Sequence, residues 1–83
     1  MNDRTIGDRI RLLRAGERLS LRAFGVKVAA VEGRSEPWAE ATVSDWEHGR
    51  SVPSVLTLTA IAKVSNARPE WVILRSGQPS LAA

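Results

Sequence analysis

The sequence predicts an all-α domain of five short helices, and three observations carry that expectation. Apolar residues recur three and four positions apart in successive segments, the spacing that places them on one helical face. Alternation of period two persists nowhere, which argues against strands. Ser, Thr, Gly and Pro punctuate the apolar segments where helices would start and stop. At 83 residues and 43% hydrophobic content, the chain suits one core and leaves too little for an active-site domain with a cover.

Helix 1 is expected over residues 6–15. Thr5 and Asp8 have the spacing of a capping box, Ile6, Ile10 and Leu13 mark the inward face, and Gly16 offers a stop. Helix 2 follows Leu19 and the N-cap candidate Ser20, with Leu21, Phe24, Val28 and Val31 inward and an end near Gly33. Gly25 sits inside that helix at a cost of about 1 kcal/mol relative to Ala, which points to a close crossing by the third helix. The polar break Gly33-Arg34-Ser35-Glu36 precedes Pro37, and proline is tolerated in a first turn. Helix 3 is therefore expected over 37–47, with Ala39, Val43 and Trp46 inward. Residues 49–53 read as a loop, after which Ser54 caps helix 4, with Val55, Leu58, Ile61, Ala62 and Val64 as its apolar residues. Pro69 and Glu70 open a short helix 5 carrying Trp71, Val72 and Leu74, ahead of Gly77 and Pro79. The domain is thus expected over 1–77, with 78–83 a disordered C-terminal tail.

Twelve Lys and Arg against nine Asp and Glu give a net charge of +3 and a pI near 10.6. Ten of the twelve are Arg, whose planar fork suits phosphate, so nucleic acid is a reasonable partner class. The charge is uneven. Residues 1–34 hold eight basic and four acidic side chains, a net of +4, which leaves −1 for residues 35–83. Within 36–47 stand Glu36, Glu40, Asp45 and Glu47, without a Lys or Arg among them.

Cysteine is absent, which excludes disulfides, thiol catalysis and Cys-ligated zinc. With one His, no Tyr and no glycine-rich phosphate loop, neither an enzyme nor a metal or cofactor site is expected. No apolar run approaches the ~20 residues of a membrane helix, and no signal segment opens the chain. A cytoplasmic protein with no membrane association is the expectation.

Three segments follow one another in a specific order. Ile10-Arg11-Leu12-Leu13-Arg14 is followed by Leu19-Ser20, then by Thr42-Val43-Ser44-Asp45-Trp46-Glu47-His48-Gly49-Arg50-Ser51-Val52-Pro53-Ser54, and last by Pro69-Glu70-Trp71-Val72-Ile73-Leu74. Together they resemble the helix-turn-helix family of Cro and phage repressors, also called the xenobiotic-response-element family, from Ile6 to about Gly77. The resemblance implies a five-helix lambda-repressor-like DNA-binding domain. It departs from the family in one place. Leu19 to Val43 spans 24 residues, where typical members have about sixteen between the matching positions. The excess implies a lengthened turn between helices 2 and 3, within Ala29 to Ser35, or a longer helix 2.

By the same resemblance, helix 3 enters the major groove of double-stranded DNA and a homodimer regulates transcription as a repressor. Glu40, Ala41, Thr42 and Asp45 match the base-reading positions. The set is unusual, but glutamate can accept from cytosine N4, and Ala or the Thr methyl can pack on a thymine methyl. Glu36 and Glu40 could equally serve the positive end of helix 3, and Asp45 could be a solvated charge. Ser20, the amide of Leu21 and Arg22 match phosphate contacts at the start of helix 2, and His48, Arg50 and Ser51 match those after helix 3. Arg14 and Glu47 match a structural ion pair between helices 1 and 3. Trp46 and Trp71 are expected in the core. Trp38 either covers the longer turn or lies exposed against DNA or a partner. The apolar residues of helix 5 either form a dimer contact or complete the monomer core. The acidic window also suits a second function, a protein-interaction module, antitoxin-like or a phage adaptor, that binds a basic partner protein through helix 3.

Overall fold

The computed structural model describes residues 5–74, without the side chain of Leu74. The expected domain end at Gly77 and the tail 78–83 lie outside the described residues. The described residues form five helices, α1 (Ile6–Gly16), α2 (Leu21–Glu32), α3 (Glu40–Glu47), α4 (Val55–Val64) and α5 (Pro69–Leu74), and no strand, so the all-α expectation holds for them. No helix among the described residues is long and apolar enough to cross a membrane.

Side-chain caps start three of the helices. Thr5 and Asp8 close a reciprocal capping box on α1, Ser20 Oγ accepts from the Ala23 amide at 3.0 Å, and Ser54 Oγ accepts from the Thr57 amide at 3.2 Å. Gly33 ends α2 at φ 78°, a left-handed conformation that a side chain would strain.

α3 differs from its expected span. It begins at Glu40 instead of 37, and its N-cap is Ala39, which supplies no side-chain bond and is exposed where an inward position was expected. The Trp38 amide donates to the Gly25 carbonyl of α2 at 3.3 Å, which holds the backbone just before α3 against α2. Pro37 therefore precedes the helix. The close approach inferred from Gly25 is real, but the neighbour is this connecting segment: a Cβ on Gly25 would stand 2.4 Å from the Trp38 carbonyl oxygen. Ala29 to Glu32 are helical, so the connection between α2 and α3 runs from Gly33 to Ala39 and starts later than Ala29.

α2 packs on α3 and α4, and α1 packs on α3 and α5. Ile10, Phe24, Val28, Val43, Ile61 and Val72 are fully buried at their meeting point. Each such side chain contributes about 1.5–3 kcal/mol relative to exposure. Val31, expected inward, is 45% exposed, because α2 turns Gly25, Ala29 and Glu32 toward the core side. Val55, an apolar residue of α4, is 63% exposed, because α4 turns Thr57 inward. Trp71 and Val64 are half-buried against the core.

Candidate functional site

α3 spans eight residues, about 12 Å of helix. Val43 and Trp46 anchor its inner side, and a second contact sets its position against α1. A Cβ on Gly7 would stand 2.6 Å from the carbonyl oxygens of both Trp46 and Glu47, so α1 meets the end of α3 backbone to side-chain-free backbone. Beside that contact, Arg14 Nε and Nη2 donate to Glu47 Oε2 and Oε1 at 2.5 and 3.0 Å, and Arg14 Nη1 donates to the Leu19 carbonyl at 2.9 Å. The expected Arg14–Glu47 pair is thus present and bidentate. The hydrogen bond to Glu47 raises the Arg14 pKa above its ordinary value; burial opposes the shift and Coulomb attraction to Glu47 adds to it.

The outer side of α3 presents Glu40 and Ala41 exposed and Thr42 half-buried in its first turn. Arg22, exposed on the first turn of α2, lines one groove with Val26, Pro37, Trp38, Ala39 and Glu40. The starts of α2 and α3 therefore adjoin. There Ser20 is engaged as the cap, Leu21 is half-buried against the core, and the Leu21 amide belongs to the first turn, where a helix supplies no acceptor of its own.

Residues 48–51 fold back over the other end of α3. His48 Nδ1 donates to the Ser44 carbonyl at 2.8 Å, and the amides of Arg50 and Ser51 donate to the Asp45 carbonyl at 2.9 and 3.4 Å. Gly49 makes the turn at φ 77°. Arg50 Nη1 reaches Asp45 Oδ1 at 3.3 Å, an exposed pair worth at most about 1 kcal/mol. Asp45 is thus half-buried and carries a basic neighbour, and His48, Arg50 and Ser51 are exposed beside it.

The charges of the acidic window do not act alike. Glu47 is buried with Arg14 and Asp45 is paired with Arg50, which leaves Glu36 and Glu40 as the exposed acids of that stretch. On the basic side, Arg9 is 3% exposed and its Nε donates to the Val72 carbonyl at 3.1 Å, tying α1 to α5, so Arg9 does not contribute to an outer basic face.

Pattern reading missed a polar node behind the site. Glu32 Oε1 accepts from Trp38 Nε1 at 2.7 Å, and Glu32 Oε2 accepts from Thr57 Oγ1 at 2.6 Å. Trp38 also meets Trp46 edge to face at 5.1 Å between centroids, and the Arg34 guanidinium lies 3.6 Å over its ring. Trp38 thus covers the α2–α3 connection and links it to α2, α3 and α4. Thr57 at an inward position of helix 4 was the available signal for a buried polar partner. No buried side-chain N or O atom among the described residues lacks a hydrogen bond. No group of three His, Asp or Glu side chains there gathers in a way that could hold a metal ion. No protein-family model, curated protein or solved structure matches the chain.

Proposed function

We propose that this protein is a sequence-specific double-stranded DNA-binding regulator of transcription, a repressor, with a lambda-repressor-like arrangement in which α3 occupies the major groove. The observation that carries the reading is the layout around α3. Its first turn offers Glu40, Ala41 and Thr42 outward, Arg22 stands beside that turn, and the exposed Arg50 loop stands at the opposite end. A short helix flanked by basic groups at both ends suits base edges in the groove and phosphates on either side.

In this reading Glu40 accepts from cytosine N4, and Ala41 and the Thr42 methyl pack against thymine methyls. Asp45, engaged with Arg50, orients that arginine more than it reads a base. Ser20, the Leu21 amide, Arg22, His48, Arg50 and Ser51 form the backbone contacts. The internal pairing of Glu47 and Asp45 removes much of the repulsion that four free carboxylates would impose on phosphates. It also weakens the protein-interaction reading, which depends on an acidic α3. A homodimer in the cytoplasm completes the proposal, since two copies double the phosphate contacts and reach two half-sites about one helical turn apart.

Electrophoretic retardation on duplexes selected from genomic DNA tests the reading. The selected duplex should be retained at low salt, with affinity that falls as salt rises. Stoichiometric capture of one basic protein, with no DNA retained at low salt, would replace it with the interaction module.

A further inference from the structure

The lengthened connection Gly33 to Ala39 carries an arginine whose placement the base-reading layout does not use. Arg34 is exposed, yet it is held from two sides. Its guanidinium lies 3.6 Å over the Trp38 ring, and its Nε donates to the Glu36 carbonyl at 3.3 Å. The ring beneath it is fixed in turn by the Trp38 bond to Glu32, which Thr57 of α4 shares, and by the edge contact with Trp46. An exposed arginine normally samples many rotamers, and this one rests on a platform tied to three helices.

The second observation concerns charge. Glu36 and Glu40 lie two and six residues away, but among the described residues neither forms an ion pair with Arg34 or with Arg22. Arg34 binds the backbone carbonyl of Glu36 and leaves that carboxylate aside. Its Nη groups have no hydrogen-bonding partner among the described residues. Arg22 lines the groove beside Trp38. Two arginines outside any ion pair among the described residues, Arg34 over the Trp38 ring and Arg22 lining a groove with Trp38 and Glu40, therefore lie near the start of α3.

We propose that Arg34 is a DNA phosphate-contacting residue that the lengthened connection adds to the interface, acting with Arg22 on the strand flanking the first turn of α3. Stacking on Trp38 presents the outward edge of the guanidinium fork, the edge that takes a phosphate with two donors. The cation is already ordered, so less side-chain entropy is lost on contact. This inference rests on the DNA-binding reading above.

The test measures dissociation constants for the selected duplex between about 50 and 200 mM salt, for the wild type, Arg34→Gln, Arg34→Lys and Lys63→Gln. One phosphate contact contributes about 0.9 to the log-log slope, so Arg34→Gln should shrink the salt-induced loss of affinity by about 3.5-fold per subunit. The ranking of DNA sequences should stay as in the wild type, because a phosphate contact carries no base information. Arg34→Lys should retain the slope. Lys63→Gln, on α4 in a different groove lined by Val31 and Leu56, should leave slope and affinity unchanged. A wild-type slope in Arg34→Gln, or the same change in Lys63→Gln, overturns the role of Arg34 while leaving the DNA reading intact. Absence of wild-type binding at 50 mM salt overturns both.

Discussion

Replacing Gly25 by Ala isolates the contact that sets the α2–α3 junction, because two effects of opposite sign compete there. Within a helix, Gly→Ala gains up to about 1 kcal/mol from propensity. Against that, the new Cβ would stand 2.4 Å from the Trp38 carbonyl oxygen and 3.3 Å from its carbon, where real Cβ contacts essentially never fall under 3.0 Å. The obstacle is backbone, so the connection itself must retreat by about 0.6 Å. That movement loosens the Trp38 amide bond to Gly25 and drags the ring against its bond to Glu32. Overpacking costs about 1–3 kcal/mol and a weakened hydrogen bond about 1 more, so the net should be a loss of about 1–3 kcal/mol. In thermal denaturation each kcal/mol lowers Tm by about 4–8 °C for a domain this small. Gly16 supplies the internal control, since nothing lies within 4 Å of a Cβ placed there and α1 should tolerate it. Gly16→Ala should stabilise by about 0.4–1 kcal/mol. A Gly25→Ala protein as stable as the wild type would refute the close approach of Trp38, as would equal losses at both positions.

Arg14→Ala should destabilise by about 3 kcal/mol, and the Arg14→Ala, Glu47→Ala double variant should lose much less than the sum, read from urea denaturation in a double-mutant cycle. Additive losses would mean that the two side chains do not act as a pair. Glu32→Ala removes the acceptor shared by Trp38 and Thr57 and should cost about 2 kcal/mol, while Glu32→Gln, which still accepts from the indole, should cost clearly less. Equal losses for the two would separate Glu32 from the Trp38 bond. Arg18 sits at φ 57°, a conformation glycine adopts without a Cβ penalty, so Arg18→Gly should raise stability by about 0.5–1 kcal/mol in the same assay, and a loss would contradict that backbone.

Helix number and most boundaries were legible because capping chemistry is local: Thr5, Ser20, Ser54 and Gly33 act where their identities predict. The Arg14–Glu47 pair was legible only through resemblance, since the two residues are far apart in the chain. The start of α3 was misread because a proline ahead of a helix and a proline in its first turn look alike. The decision lay in a hydrogen bond from Trp38 to a different helix. Val31 and Ala39 were expected inward from hydrophobicity alone, yet α2 has neighbours on two sides and its buried stripe rotates toward Gly25, Ala29 and Glu32, and Ala39 lies ahead of α3 as its N-cap. Glu32 and Arg9 enter the sequence pattern only through the charge count of residues 1–34. Their partners, the Trp38 indole, the Thr57 hydroxyl and the Val72 carbonyl, leave no mark in a charge or hydropathy pattern. The candidate site was readable as a set of positions. Its charge balance was not, because Asp45 and Glu47 are engaged by arginines outside the acidic window.

The central claim is that the first turn of α3 reads DNA sequence. Selection from a random duplex library, run in parallel for the wild type and Glu40→Gln, tests it most directly. The account predicts an enriched two-fold symmetric sequence for the wild type and an altered base preference at one position of each half-site for the variant, because Gln prefers adenine where Glu accepts from cytosine. No enrichment from the wild-type protein at low salt, or identical enriched sequences for both proteins, would contradict it.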